Sequence, residues 1–248
     1  MPYQIIQISP LRYKVINSDT GRVHSKSTTL NKAKAQVRVL ESIGEGKISS
    51  SEEAYLKVSE EAYRKPSERK GEVAGYIYDP ELSDLRTAVY VSSGNIIISH
   101  RGTVPSDTND LKEDALIVTG HFDKSDRVKK GVELVSRIIM KYPGIKISNT
   151  GHSLGGRIAQ SLGLLLPVMD SKVVAFNPGS SPLDIAKNVA EAAYCKLSNN
   201  DRCKKLKNQT VYATGVDPIS ISSLLHSGRT SIIKPEGVNV HSLQNFKV

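Results

Sequence analysis

Residues 146–166, KISNTGHSLGGRIAQSLGLLL, limit what this chain can fold into more than any other stretch. Residues 145–150 are short and β-prone, with Pro143 and Gly144 just upstream. Residues 154–166 set Ile158, Ala159, Leu162, Leu165 and Leu166 at helical spacing, and Pro167 stops the pattern. Between them stands Gly151-His152-Ser153-Leu154-Gly155, a G-x-S-x-G arrangement on a strand-to-helix turn. Such a turn holds its serine in a strained backbone conformation, with Oγ projecting past the strand end. The chain doubles back so tightly that a Cβ two residues to either side would collide with it, which accounts for Gly151 and Gly155. Gly156 then lets the helix lie close against the sheet. The five-residue pattern is short enough to arise by chance. Its place between a predicted strand and a predicted helix makes Ser153 a candidate nucleophile.

A serine hydroxyl is a poor nucleophile near neutral pH, so it needs a base within hydrogen-bond reach and an acid to orient that base. Downstream of Ser153 the only histidines are His226 and His241. The downstream acids are Asp170, Asp184, Glu191, Asp201, Asp217 and Glu236. Asp217 follows an apolar strand pattern at residues 211–215, where an orienting acid belongs. Asp184 and Glu191 fall in a helical pattern and Asp201 in a basic loop, so these three read as surface residues. The spacing alone leaves both histidines open as the base.

The remaining pattern supplies the frame. Residues 3–8 and 13–16 read as two short strands around Ser9-Pro10, and residues 17–21 as a turn. Thr29-Leu30-Asn31 caps a helix over 32–42, with Ala35, Val39 and Leu40 on one side and Gly44-Glu45-Gly46 at its end. These pieces make a small basic β-hairpin-plus-helix unit over residues 1–46, followed by a linker over 44–51 and a main domain over 51–248. A helix over 51–65 opens on Ser-Glu-Glu and closes at Pro66. Residues 86–92 and 95–99 read as paired strands, the second delivering His100-Arg101-Gly102-Thr103, with a polar loop from Pro105 to about Gly120. In the next helix Val128, Val132, Val135, Ile138, Ile139 and Tyr142 form one apolar stripe. A strand over 172–176, a helix over 183–197 and the strand over 211–215 complete the pattern. Strands alternating with helices predict an α/β fold with a mostly parallel central sheet covered on both faces. In such sheets sites collect beyond the carboxyl ends of the strands, where Ser153, Asp217 and Thr103 all fall.

Composition narrows the partners. A net charge of +9 from 34 Lys/Arg and 25 Asp/Glu favours anionic surfaces such as phospholipid headgroups. Residues 1–50 hold eight of the basic residues against three acids. With no Trp and few other aromatics, a stacking platform for single-stranded nucleic acid is not expected. No apolar run is long enough to span a bilayer, and the first residues lack a basic-then-apolar secretory pattern, so an intracellular location is expected. On that basis Cys195 and Cys203 read as a reduced pair, with a local disulfide as the alternative in an exported protein. No Cys or His spacing suits a metal, and no cofactor is expected.

Five blocks in order resemble the class 3, or fungal-type, lipase family of the α/β-hydrolase superfamily, over roughly residues 73–246. IIISHRGT (96–103) is similar to the family's strand ending in Arg-Gly-Ser/Thr, and DLKEDA (110–115) to its D-W-x-x-D segment, with Leu111 where Trp is usual. TGHSLGG matches its elbow. VYATGVDPIS (211–220) resembles the segment carrying the acid, and HSLQNF (241–246) the segment carrying the base. The resemblance implies an acyl-enzyme ester hydrolase with Ser153 as nucleophile, His241 as base and Asp217 as orienter. The backbone N–H of Leu154 and Thr103, the latter with its hydroxyl, would form the oxyanion hole. It implies a lipid or other ester as substrate, while the polar span after Thr103 argues against an apolar lid. A thioesterase or acyltransferase on the same residues, or a non-catalytic interaction module on the same fold, are the alternatives. Separately, residues 25–43 resemble short basic helices in proteins of large DNA viruses, a resemblance that implies a viral origin and, beside the intracellular location, a virion-associated one.

Overall fold

A computed structural model of the chain describes residues 3–18, 21, 23–43, 48–119, 121–166, 172–181, 183–198, 200–214, 217, 219, 228–233 and 239–246. The chain divides into two compact units, Met1–Gly46 and Lys47–Val248.

The first unit is an antiparallel sheet of β1 (Tyr3–Ser9), β2 (Arg12–Asn17) and β3 (Val23–Thr28), followed by helix α1 (Leu30–Ile43). The expected hairpin is thus one strand short. β3 reads VHSKST, with a single apolar residue at one end, so it carries no period-2 signal. Pairing to β2 makes it a strand. Val15 of β2 and Ala33 of α1 are fully buried, so alternate residues of the strands face the helix.

The second unit contains α2 (Glu53–Glu61), β4 (Glu72–Val73), β5 (Tyr76–Tyr78), β6 (Thr87–Val91), β7 (Asn95–His100), α3 (Thr108–Val118), α4 (Asp126–Lys141), β8 (Lys146–His152), α5 (Leu154–Leu165), β9 (Val173–Phe176), α6 (Asp184–Leu197), α7 (Asp201–Lys207), β10 (Gln209–Thr214) and β11 (Arg229–Ile233). Among the described residues its eight strands are ordered β11-β10-β9-β8-β7-β6-β5-β4. Strands β7 to β11 run parallel, and β4 to β7 pair antiparallel. This mixed α/β sheet with helices is consistent with an α/β-hydrolase-like fold. β8 lies near the middle, so the turn after it opens at the centre of the sheet's carboxyl edge. Strand β7 shows why both faces need cover. Ile96 and Ile98 join a core layer with Ile138, Leu154, Ile158 and Leu162, while Ile97 joins a second layer with Tyr55, Leu56, Val58 and Phe176. Each fully buried aliphatic side chain contributes about 1.5–3 kcal/mol. Among the described residues no helix is long and apolar enough to cross a membrane.

Several local expectations need correction. The span after Pro105 is not a polar loop but contains α3, capped by the Asp107 side chain, which accepts from Asn109 N–H at 3.1 Å. Its buried face is built on Asp110, Glu113 and Ile117, so charges occupy positions where a periodicity search looks for apolar residues. In α4 the stripe is rotated: Val132 and Ile139 face outward, whereas Gly131, Leu134, Val135 and Ile138 are buried. A Cβ on Gly131 would lie 2.6 Å from Leu162 Cδ1, so this glycine is a contact point that hydrophobicity does not register. Ile48, assigned to the linker, is buried in the second core layer; residues 44–47 lie outside the described ones. Asp201 begins α7 rather than sitting in a loop, with the Asn200 side chain accepting from Cys203 N–H. Asp184 and Glu191 are not free surface acids: Asp184 is buried against Arg157 and Glu191 pairs with Arg202. Cys195 and Cys203 are not reduced; they form a disulfide joining α6 to α7. The reduced assignment followed from compartment alone, whereas the helical turn at α7 brings the two Cα atoms to 5.3 Å.

Candidate active site

Ser153 sits between β8 and α5 at φ 57° and ψ −127°. A non-glycine residue in this region costs roughly 1–3 kcal/mol and persists only where its surroundings hold it. Here its N–H donates to Phe176 O at 3.1 Å, and its carbonyl accepts from Gly179 N–H at 2.9 Å. The end of β9 therefore fixes the turn from both sides. The approach is as close as the sequence demands: a Cβ on Gly155 would stand 1.9 Å from His100 O, and one on Gly151 would stand 2.5 Å from Gly155 C.

His241 Nε2 lies 2.8 Å from Ser153 Oγ, and His241 Nδ1 lies 2.7 Å from Asp217 Oδ2. A carboxylate can only accept, so Nδ1 carries the proton, Nε2 is bare, and the Ser153 hydroxyl donates to it. Asp217 is 1% exposed, and its other oxygen accepts from Ile219 N–H at 3.1 Å. The structure thus brings Ser153, His241 and Asp217 into one relay. His226 and Glu236 lie outside the described residues.

The loop bearing His241 is held through its carbonyls. Val240 O accepts from Thr214 Oγ1 at 2.6 Å, Asn177 Nδ2 at 3.3 Å and Asn245 Nδ2 at 3.3 Å. His241 O lies 2.6 Å from Nε2 of His152, the variable residue of the G-x-S-x-G pattern. That carbonyl fixes every proton in a longer chain. It can only accept, so His152 carries its proton on Nε2; Nδ1 must then accept, and the Tyr63 hydroxyl at 2.8 Å donates to it. The Tyr63 hydroxyl packs against Gly102, where an added Cβ would stand 2.1 Å from it. Burial drops the His152 imidazole to about 4, so it is neutral near pH 7. The Tyr63 ring lines the cavity and is 39% exposed, while its hydroxyl is enclosed by protein, which pushes the phenol up to about 12.

The opposite flank follows β7. The Thr103 hydroxyl donates to Asp114, 2.8 and 2.9 Å from its two oxygens, so its single proton is committed to that carboxylate. Burial raises the Asp114 carboxyl above its ordinary value. Next to it, Asp110 is fully buried and accepts from Arg101 Nη2 at 2.8 Å, Arg127 Nη1 at 3.2 Å and Val104 N–H at 3.1 Å. Arg86 chelates Asp107 and lies 3.5 Å from Asp110. Leu154 is the first residue of α5, and its N–H is one of the helix's N-terminal donors without an intrahelical acceptor.

Ser153, Leu154, Thr103 and His241 line one cavity of about 660 Å³, whose remaining wall includes Ile117, Val118, Ile219 and Leu243. Tyr63, His152 and Asp114 also line it, and none of the three was singled out from sequence. Tyr63 sits ninety positions from Ser153 with no motif around it. Asp114 lies within the DLKEDA block and His152 within the elbow itself, so both were visible but without a role. Among the described residues no group of three or more His, Cys, Asp or Glu side chains is arranged to hold a metal.

No known protein-family profile matches the chain, and no curated protein matches it. Among solved structures it is similar to a mutant form of MDLA from Penicillium cyclopium, at 16% identity over 81% of this chain and 87% of that one, with a TM-score of 0.47. At that distance the likeness carries no statement about chemistry or individual residues.

Proposed function

We propose that this chain is a serine carboxylic-ester hydrolase of the class 3 lipase type, working through an acyl-enzyme intermediate. The observation that carries the reading is the unbroken relay from Asp217 through His241 to Ser153, set at the mouth of a largely apolar cavity. In the first step Ser153 Oγ attacks the ester carbonyl while His241 Nε2 takes its proton. Asp217 holds the imidazole in the needed tautomer and stabilises its protonated form. The carbonyl oxygen becomes an oxyanion, for which the N–H of Leu154 at the start of α5 and the backbone N–H of Thr103 are the donors. The Thr103 hydroxyl serves differently from the family expectation: bound to Asp114, it holds the turn rather than the oxyanion. His241 then protonates the leaving alkoxide, and water repeats the sequence to release the acid.

The apolar wall formed by Ile117, Val118, Ile219 and Leu243 suits an acyl chain. Helix α3 occupies the span where a lid would lie, and its Asp110 is tied by buried ion pairs to Arg101 and Arg127. A helix pinned in this way does not swing open on an oil droplet. A phospholipid, monoacylglycerol or dispersed ester is therefore favoured over emulsified triglyceride.

The test is hydrolysis of chromogenic esters of increasing acyl length by the intact chain and by Ser153→Ala. The substitution is expected to lower turnover on the order of a millionfold, to background. Turnover of thioesters but not oxygen esters would move the reading to a thioesterase on the same residues. No turnover of either, with Ser153→Ala indistinguishable from the intact chain, would leave a non-catalytic module.

A further inference from the structure

We propose that the face of the first unit's sheet turned away from α1 docks on an anionic phospholipid surface. The strand register sorts the side chains. Tyr3, Val15 and Asn17 are buried on the helix side, whereas Ile6 opposite Lys14, and Ile16 opposite both Gln4 and Val23, point the other way. Ile8, at the end of β1, and Arg12, at the start of β2, extend that face towards the hairpin tip, where Leu11 is 80% exposed. Ile6, Ile8 and Val23 are 37%, 49% and 40% exposed. Isolated exposed apolar residues are ordinary, but here they share one small sheet and alternate with Arg12, Lys14 and Lys26. The three strands contain no acid to pair with these cations.

Cations interleaved with aliphatic side chains match a headgroup layer, where charge meets lipid phosphate and the apolar groups reach the acyl boundary. The same face is a poor match for nucleic acid. Phosphate and base edges would be read by hydrogen-bonding and cationic groups, and Ile6, Ile8 and Leu11 would gain little there. This inference concerns a surface remote in sequence from Ser153 and stands whether or not the chain hydrolyses esters.

The experiment is sedimentation of the full chain with vesicles of ether-linked phospholipid, which offer no ester to cleave, carrying either phosphoglycerol or phosphocholine headgroups. Binding is expected to the anionic vesicles and to weaken steeply with salt, with at least tenfold weaker binding to neutral ones. The variant Arg12→Ser/Lys14→Ser/Lys26→Ser is expected to lose roughly a hundredfold in anionic-vesicle affinity. Ile8→Ser/Leu11→Ser is expected to lose about tenfold or more while keeping the salt dependence. Should the triple variant fail to fold, the single Leu11→Ser change at the exposed tip and the headgroup dependence of the intact chain still decide the matter. Equal binding to neutral vesicles, absence of binding, or indifference to both variants overturns the proposal. So does preferential binding to double-stranded DNA that Ile8→Ser/Leu11→Ser leaves unchanged.

Discussion

The two flanks of Ser153 are held by different physics. On one side the His241 loop is fixed by neutral hydrogen bonds to its carbonyls, from Thr214, Asn177, Asn245 and His152. On the other, the turn bearing Thr103 is fixed by buried charge, with Arg101, Arg127 and Arg86 gathered around Asp110 and Asp107. A neutral bond is worth about 0.5–1.5 kcal/mol and can be lost singly. A buried ion cluster offers little net stability when whole, yet removing its central carboxylate leaves guanidinium charge in the interior short of its counter-charge. The first flank is therefore graded and the second all-or-none. The difference decides which residues tolerate change.

The largest effect should come from the charged flank. Asp110→Ala leaves Arg127 buried with carbonyl partners and Arg101 paired to Asp107 in place of two carboxylates, and is expected to cost about 3–5 kcal/mol of unfolding free energy, measured by urea denaturation. A cost below about 1 kcal/mol would show that water reaches the cluster, and the contrast between flanks would collapse. Acid comes next. Burial lowers both His100 and His152 to about 4 from an ordinary 6.5. Folded, they are neutral; unfolded, they take up protons as soon as pH drops below about 6.5. The unfolded chain thus binds more protons between about pH 6.5 and 4, so stability is full above that window and drains away through it. Each histidine accounts for up to roughly 3 kcal/mol by pH 4. Denaturation midpoints measured across that window should fall steeply in the intact chain and less steeply in His152→Gln. A flat profile would contradict the buried neutral assignment. The smallest effect belongs to the neutral flank: Tyr63→Phe removes one donor and should cost about 1 kcal/mol. Under the proposed ester hydrolysis, in steady-state kinetics it should lower kcat by about tenfold or less with KM nearly unchanged, since it touches how His241 is held rather than how substrate binds. A loss as large as that of Asp110→Ala would mean that the neutral chain is as cooperative as the ionic one.

Much of this arrangement was legible in the sequence, and unevenly. The elbow was, because its constraint is steric and glycine is the only residue that satisfies it at positions 151 and 155. Strand β9 was, because burial on both faces writes it as the continuous apolar run VVAF, and β10 was through its Val211-Tyr212-Ala213 centre, whereas β8, apolar only at Ile147, was legible from Pro143-Gly144 before it and the elbow after it. Ser153, Asp217 and His241 were singled out as candidates and do meet in space. Helix α3 was hidden because its inward face is ionic, and β3 because a short polar edge strand has no alternation to display. Tyr63 and His152 escaped notice for a further reason. Their importance lies in a hydrogen-bond polarity that exists only once the His241 carbonyl is set against the His152 ring, and spacing along a chain carries no trace of it.

The Asp110 cluster also bears on how such a molecule can change over generations. Replacing Asp110 removes the carboxylate shared by Arg86, Arg101 and Arg127, and leaves the buried Arg127 with carbonyl partners in place of a counter-charge. Sequences that lose this carboxylate are penalised at the first step, which holds Asp110 and the helix that carries it in place. Ile219 and Leu243 on the other wall of the cavity belong to no such network, and Ile219 is 47% exposed. Under the proposed ester hydrolysis, a change in the acyl groups accepted would come along that wall, one tolerated substitution at a time, while the wall carried by α3 stays fixed.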